Sequence, residues 1–128
     1  MSTLAVNEIT NEAGTDSPSF FTAPGDPSVY FCRAWVNFDG TGTVSIRESG
    51  NVSSITDLDT GNYRVNFTTG MPDGNYAITG SGGNDENDLR CLSVNNDSPP
   101  STSSCEVHIT LANQSNTDSP YVAVSIFR

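Results

Sequence analysis

The sequence predicts an all-β protein, an antiparallel β-sandwich or barrel-like domain with a short extended N-terminal arm. Short apolar segments recur about every 8–14 residues, with turn signals between them. No segment shows the 3.6-residue apolar period of an amphipathic helix. Ser, Thr and Asn supply 44 of the 128 residues, and their side chains compete with helical backbone hydrogen bonds.

The predicted arm comprises residues 1–27. Residues 3–10 have the pattern of one short strand, and the segment from Asn11 to Pro27 then contains three prolines and two glycines. Proline and glycine at this density continue neither a helix nor a strand ladder. We therefore expect an extended segment whose role differs from that of the remaining chain.

Residues 28–128 are predicted to form the sandwich. Val29–Phe38 is apolar on both alternating faces, which predicts a central strand covered on both sides. Asp39-Gly40 is a strong hairpin signal. The segment Thr43–Arg47 that follows alternates, with Ile46 predicted to point inward.

The later strands are separated by turns and by two long loops. The predicted strands are Val52–Thr56, Tyr63–Thr68, Asn75–Thr79, Leu89–Val94, Cys105–Leu111 and Tyr121–Phe127. Residues 80–88 contain no apolar side chain, so they are predicted to be an exposed loop, and 95–104 a second one. The last strand is apolar on both faces, which predicts a central position or a contact with another subunit.

Charge and hydropathy exclude several partners. The formal net charge is −10, from 15 acidic residues and five arginines. Such a surface is repelled by nucleic-acid phosphates and by anionic membranes, so we predict neither as a partner. No apolar run approaches the roughly 20 residues of a membrane helix, and residues 1–20 lack the pattern of a secretory signal, so membrane insertion and secretion are not expected.

The cysteines and the single histidine give no recognisable reactive centre. Cys32, Cys91 and Cys105 lack metal-site spacing, and whether Cys91 pairs with Cys105 is left open, although a reducing compartment favours free thiols. His108 is the sole histidine, and no nucleophile elbow or phosphate-binding loop is present. We predict that the chain is not an enzyme and that it uses neither a cofactor nor a metal.

The aromatic residues have two interpretations. Aromatic rings with polar tips can stack on sugars, and Trp35 is the largest candidate. The position of Trp35 within an apolar strand instead predicts a core side chain, as it does for Phe38, Tyr63 and Phe67.

Several segments carry a family resemblance. The run from Arg33 to Ile46, together with residues 52–56, 61–69 and 71–76, resembles the C-terminal module of many bacteriophage tail fibre proteins. These fibres belong particularly to phages of aquatic bacteria, cyanophages among them. Residues 121–128 are similar to the ends of such proteins, and 4–20 to their openings. Cys32 departs from the pattern, which has a small residue there, and no shaft separates arm from module.

The resemblance implies a virion structural protein, a tail fibre or fibre tip that takes part in host attachment. It implies a homotrimer assembled in the host cytoplasm, an arm that docks on tail or baseplate proteins or takes part in the trimer contact, and distal loops that meet a receptor such as a host surface glycan. The expected docking residues are the apolar ones of the arm: Leu4, Val6, Ile9, Phe20 and Phe21. The expected receptor-binding residues lie in the two long loops: Asn84, Asp85, Glu86, Asn87, Asp88, Asn95, Asn96 and Asp97.

Two other functions are kept beside this one. The chain could be a capsid decoration or head fibre protein without receptor function, or a free carbohydrate-binding module. The trimer prediction also has a physical reason, because terminal strands that are apolar on both faces need something outside the protomer to cover one of them.

Overall fold

The computed structural model describes residues 31–83 and 88–128, and within these ranges it contains strands and no helix. The eight strands are β1 (Cys32–Asp39), β2 (Ser45–Gly50), β3 (Val52–Asp59), β4 (Asn62–Phe67), β5 (Ala77–Gly82), β6 (Arg90–Val94), β7 (Ser104–Leu111) and β8 (Val122–Phe127). No helix in the described part of the chain is long and apolar enough to cross a membrane.

The strands form two four-stranded antiparallel sheets that pack face to face. Sheet A has the order β2-β1-β8-β5, and sheet B has the order β3-β4-β7-β6. The all-β prediction is therefore confirmed, and of the two predicted architectures the structure has the sandwich. Strand β8 lies in the middle of sheet A between β1 and β5, which confirms the central position predicted for the last strand.

The chain alternates between the sheets. Hairpins join β1 to β2, β3 to β4 and β6 to β7 within one sheet, whereas the other connections cross from one sheet to the other. Two of the crossing connections join strands at one edge of the sandwich, β2 to β3 at one edge and β5 to β6 at the other. The connections from β4 to β5 and from β7 to β8 start from inner strands and are longer, over residues 68–76 and 112–121.

The core lies between the inner faces of the two sheets. Sheet A contributes the buried residues Ala34, Val36, Phe38, Val122, Val124 and Ile126, and sheet B contributes Val52, Tyr63, Val65, Phe67, Cys105, Val107 and Ile109. Phe38 and Tyr63 meet edge to face with ring centroids 5.1 Å apart, and this contact joins the two sheets. The burial predicted for Phe38, Tyr63 and Phe67 is confirmed.

Strand β1 has one buried face and one open face. Its inward residues are buried, but Trp35 is 41% exposed on the outer face, so the prediction of a core tryptophan and of a strand covered on both sides is wrong for this protomer. Ile46 lies across from the inward Phe38 and is still 37% exposed, because β2 is an edge strand at the rim of the core. Periodicity predicts a face and does not show what covers it.

Strand β5 lies later in the chain than predicted, and it continues through residues assigned to a loop. Gly80, Ser81 and Gly82 pair with β8. A Cβ on Gly80 would be 2.9 Å from the side chain of Leu92, and one on Gly82 would be 3.1 Å from that of Ile109. The two glycines therefore let side chains of sheet B approach closely, and their backbone pairing needs no apolar side chain of their own.

Part of the prediction falls outside the described residues. The arm of residues 1–27 lies there, with its docking candidates Leu4, Val6, Ile9, Phe20 and Phe21. Four of the receptor-binding candidates also lie there: Asn84, Asp85, Glu86 and Asn87.

Candidate functional site

The sandwich has two ends that differ in which loops they hold. Phe31 and Arg128 lie at one end, since Cys32 pairs with Phe127, and we call this the near end. The near end also holds residue 51 and the loops 68–76 and 95–103. The far end holds the connections 40–44, 60–61 and 112–121, together with residues 83, 88 and 89.

The predicted receptor-binding residues that the structure describes lie in two separate groups. Asp88 precedes β6 at the far end, whereas Asn95, Asn96 and Asp97 follow β6 at the near end. The five residues of β6 separate the two groups by about 16 Å. One binding surface cannot include both loops without extending along the whole side of the sandwich.

At the near end the Asn95 side chain already has a partner within the protomer. Its Nδ2 donates to Glu106 Oε2 at 2.8 Å, and Arg64 donates to Glu106 Oε1 through Nη2 at 2.6 Å and through Nε at 3.1 Å. The hydrogen bonds from Arg64, with those from Asn95 and Ser98, hold the pKa of the Glu106 carboxyl below its ordinary value. The 95–98 segment thus covers Glu106, which is only 6% exposed.

The far end is built on a buried polar network. The Tyr63 hydroxyl hydrogen-bonds to Gly40 O and to Asp118 Oδ1, each at 2.9 Å, and the backbone N–H of Gly61 donates to the same carboxylate oxygen at 2.8 Å. Burial, followed by the Asp118 carboxylate, raises the pKa of Tyr63 above its ordinary value. The network ties three far-end connections to one core side chain.

Gly61 has the backbone conformation that this network requires. Its φ is +64°, which favours glycine, and a Cβ there would lie 2.6 Å from backbone atoms of Ile109 and Thr117. The Asp59–Asn62 turn predicted from the sequence therefore contributes more than chain reversal, since it also places the Gly61 N–H against Asp118.

Ser119 links the backbone at Gly83, which follows β5, to the other far-end connections. Its side chain is fully buried, and its hydroxyl lies 3.2 Å from Gly83 O and 3.0 Å from Tyr121 O. Gly40 N–H donates to Ser119 O at 2.9 Å. The backbone on either side of the exposed residues is thereby fixed, as a recognition surface on a rigid scaffold requires.

The far end also carries an exposed cluster of one aromatic and two charged side chains, Tyr121, Arg47 and Asp39. The Tyr121 ring is 59% exposed, and the Arg47 guanidinium lies over it at 4.2 Å from the ring centroid. Arg47 Nη2 also pairs with Asp39 Oδ2 at 3.3 Å. Hydrogen bonds from the Thr41 hydroxyl and backbone N–H, with a smaller contribution from Arg47, lower the pKa of Asp39.

Sequence reasoning missed this cluster. Tyr121 was included in the last strand, but it lies just before β8, and Arg47 was considered only as part of an alternating strand. No spacing rule relates residues 39, 47 and 121, because the pairing of β1 with both β2 and β8 brings them together. A shallow depression of about 180 Å³ lies at the same end, lined by Asp88, Leu89, Leu111, Ala112 and Asn113.

The cysteines are free, and the predicted candidate pair lies apart. Cys91 pairs in register with Thr110 on the outer side of sheet B, whereas Cys105 lies opposite Val65 and is buried in the core. Burial raises the pKa of the Cys105 thiol to about 12, so it is a poor nucleophile. In residues 31–83 and 88–128, no three His, Cys, Asp or Glu side chains are grouped closely enough to hold a metal ion.

Comparisons with known proteins add no relative. No protein-family profile matches the chain, and neither a curated protein nor a solved structure matches it. The interpretation of function therefore depends on the residues and on their arrangement.

Proposed function

We propose that this chain is a bacteriophage virion structural protein, a tail fibre or fibre tip that takes part in host attachment. The segments that resemble tail fibre modules provide the first support. They correspond to β1 with its following turn, to β3, to β4 and to the turn before β5. The resemblance thus concerns the framework of the sandwich and does not by itself identify a receptor site.

The observation that carries the proposal is the polarity of the sandwich. Phe31 and Arg128 are the first and last described residues of the sandwich, and both lie at the near end. The Arg128 guanidinium binds Asp73 there at 2.7 Å, and Arg33 Nε donates to Arg128 O at 2.9 Å. A module joined through one end presents the other, and here the far end displays Tyr121 and Leu89, which is 60% exposed.

The proposed activity is adhesion rather than catalysis. His108 lies on the outer side of sheet B, and its register partners on the two neighbouring strands are Asn62 and Ser93. Neither partner is a carboxylate that could orient an imidazole as a general base. In the proposal the protein is a homotrimer, assembled in the bacterial cytoplasm and carried on the virion.

Locating the chain in purified virions tests the proposal. We expect mass spectrometry to detect it in particles of the encoding phage, and a cryo-EM reconstruction to place its density on the tail. Density on the capsid would replace the attachment role with capsid decoration. Absence of the chain from purified particles would contradict both structural roles.

A carbohydrate-binding role is a second candidate, and the exposed Tyr121 ring favours it. One face of the ring is occupied by Arg47, and the remaining exposed surface, with the adjacent Asp39 carboxylate, suits a sugar ring and its hydroxyls. We expect the full chain to bind at least one bacterial surface glycan on an array. Tyr121→Ala should weaken that binding by about tenfold or more, since stacking and hydrogen bonding contribute on the order of 1–3 kcal/mol.

Phe127→Ala is the matched control for Tyr121→Ala. Phe127 is also a partly exposed aromatic residue of the β8 region, but it lies at the near end. Its substitution should leave glycan binding unchanged. A wild-type chain that binds no glycan, or equal losses in the two variants, would contradict recognition through Tyr121.

A further inference from the structure

The outer face of sheet A is the surface to which the inference applies. Three of its strands, β1, β8 and β5, are aligned so that Trp35, Ser125 and Thr79 form one cross-strand row and Asn37, Ala123 and Ser81 the next. We use "outer face of sheet A" for eight outward residues in the central part of these three strands: Trp35, Asn37, Ala77, Thr79, Ser81, Ala123, Ser125 and Phe127. The outward Asp39 and the exposed Cys32 and Arg33 lie at the two ends of β1, outside this set.

This face is uncharged although the chain is strongly acidic. None of its eight residues carries a charge, whereas the full chain has a net charge of −10. Charged side chains of both signs lie around these eight residues: Arg33 and Asp39 at the ends of β1, and Arg47 and Glu48 on the edge strand β2. Two copies of an acidic protein repel each other over most of their surfaces, and an uncharged face is where that repulsion is smallest.

The face also combines large and small side chains. Trp35 lies over Gly50, where an added Cβ would come within 2.5 Å of the indole Nε1 and 2.9 Å of Cδ1. The ring therefore covers part of the edge strand and still leaves 41% of Trp35 exposed. In the row of Trp35 and in the row of Asn37, the residues on β8 and β5 are all small, such as Ser125 and Ala123, so a large ring from another molecule can pack against them.

We propose that the outer face of sheet A is covered by a second copy of this chain, with Trp35 of each copy packed against the small residues of its neighbour. The inference deepens the proposed homotrimer by naming its contact surface, and its setting on a virion rests on the proposed function. A second copy of the chain fits this face because the same central residues then form both sides of the contact. No charge is buried in its centre, and the repulsion between two acidic molecules is smallest there.

The dimensions of the face determine the concentrations for the test. Three strands spaced about 4.8 Å apart, each 6–8 residues long, give a face of roughly 300 Å². Stable interfaces bury about 800 Å² per partner, so this contact alone gives an association that dilution reverses. Sedimentation equilibrium of the full chain should therefore cover about 1–1000 µM.

Added carboxylates test the face directly. Ala123 is exposed, so Ala123→Asp should leave the protomer folded, and it places a charge in the centre of the proposed contact. We expect its association to be about tenfold or more weaker than that of the wild type, because a carboxylate buried without a partner is strongly unfavourable. Circular dichroism of the diluted variant provides the check on folding.

The chain offers a matched pair of controls. Ser81 on β5 and Ser93 on β6 are both exposed, both on edge strands and both directed outward, but they lie on different sheets. Ser81→Asp should weaken association, and Ser93→Asp, with the same change in net charge, should not. Equal effects of the two substitutions would overturn the assignment to sheet A.

Quenching of the single tryptophan separates failure of this inference from failure of the proposed trimer. We expect acrylamide to quench Trp35 much less in the concentrated wild type than in concentrated Ala123→Asp. An assembled wild type with an accessible Trp35 would overturn the assigned face and leave a trimer standing. A chain that stays monomeric at all concentrations would overturn both the assigned face and the trimer. This holds even if acrylamide does not reach Trp35, because another segment of the same chain would then shield the ring.

Discussion

The two outer faces of the sandwich share one core and differ in how their side chains are satisfied. On sheet B, Glu106 binds Arg64 and Asn95, and Asn66 Nδ2 lies 3.0 Å from Thr56 Oγ1 and 3.1 Å from Ser54 Oγ. These polar groups find partners within the protomer. On sheet A the outer face presents an exposed indole ring among small residues and no charge.

The side chains on the two faces therefore differ in what they need from their surroundings. Neighbouring side chains of the same protomer satisfy Glu106 and Asn66 on sheet B, whereas Asn62 Oδ1 and His108 Nε2 on that side are buried without a hydrogen-bond partner among the described residues. The exposed apolar surface of Trp35 stabilises the protein only when another surface packs against it and removes it from water. The sequence signal for this was the apolar character of both alternations in β1 and β8.

The largest change in the free energy of unfolding is expected at Glu106, whose hydrogen-bond partners lie within the protomer. Glu106→Gln removes the charge that accepts two hydrogen bonds from Arg64, and we expect it to lower the free energy of unfolding by about 2 kcal/mol. Glu48→Gln, at an exposed position on the rim of sheet A, should change it by less than about 0.5 kcal/mol. Urea denaturation measures both, and equal effects would contradict the difference between the faces.

The pH dependence sharpens the same comparison. Because the folded state lowers the pKa of Glu106, its ionised form stabilises the fold above the pKa of the unfolded chain, and that contribution is lost as the pH falls through the lower folded pKa. The stability gap between wild type and Glu106→Gln should therefore be full at neutral pH and should narrow in acid. A gap that is independent of pH between neutrality and pH of about 3 would show that ionisation of Glu106 is not its cause.

The smallest effect on stability is expected at Gly50 below Trp35. Gly50→Ala places a methyl group against the indole, so Trp35 must move, while the backbone there accepts alanine. We expect a change in Trp35 fluorescence with a stability change within about 1 kcal/mol. An unchanged tryptophan spectrum would show that the ring does not lie over Gly50.

Gly42→Ala is the control for Gly50→Ala. Gly42 has a φ of +58° and nothing within 4 Å of an added Cβ, so alanine is strained there by the backbone alone. It should lower stability by about 1 kcal/mol and leave the Trp35 spectrum unchanged. The two glycine variants together distinguish a side-chain contact from a backbone preference.

Much of the framework could be predicted from local sequence patterns. Alternation in residues 63–67 correctly predicted the buried face of β4, and the Asp39-Gly40 signal correctly marked the end of β1. These features depend on neighbours along the chain. The extension of β5 through Gly80–Gly82 was missed, because it depends on β8 and on side chains of the opposite sheet.

The candidate site was less predictable than the fold. Loop composition predicted exposed loops at 80–88 and 95–104, but Gly80–Gly82 belong to β5, and composition could not show that β6 places Asp88 and Asn95 at opposite ends. The Tyr121–Arg47–Asp39 cluster depends on three strands meeting in sheet A. Trp35 was assigned to the core because an apolar alternation looks the same whether its own protomer or another molecule covers it.

An isotope-filtered NOE measurement on assembled protein tests the central claim most directly. In a mixture of labelled and unlabelled full chains, the account predicts intermolecular NOEs between the Trp35 indole protons and the methyl group of Ala123. Intermolecular NOEs confined to residues of sheet B would contradict it. So would NOEs that join the indole only to residues of its own chain.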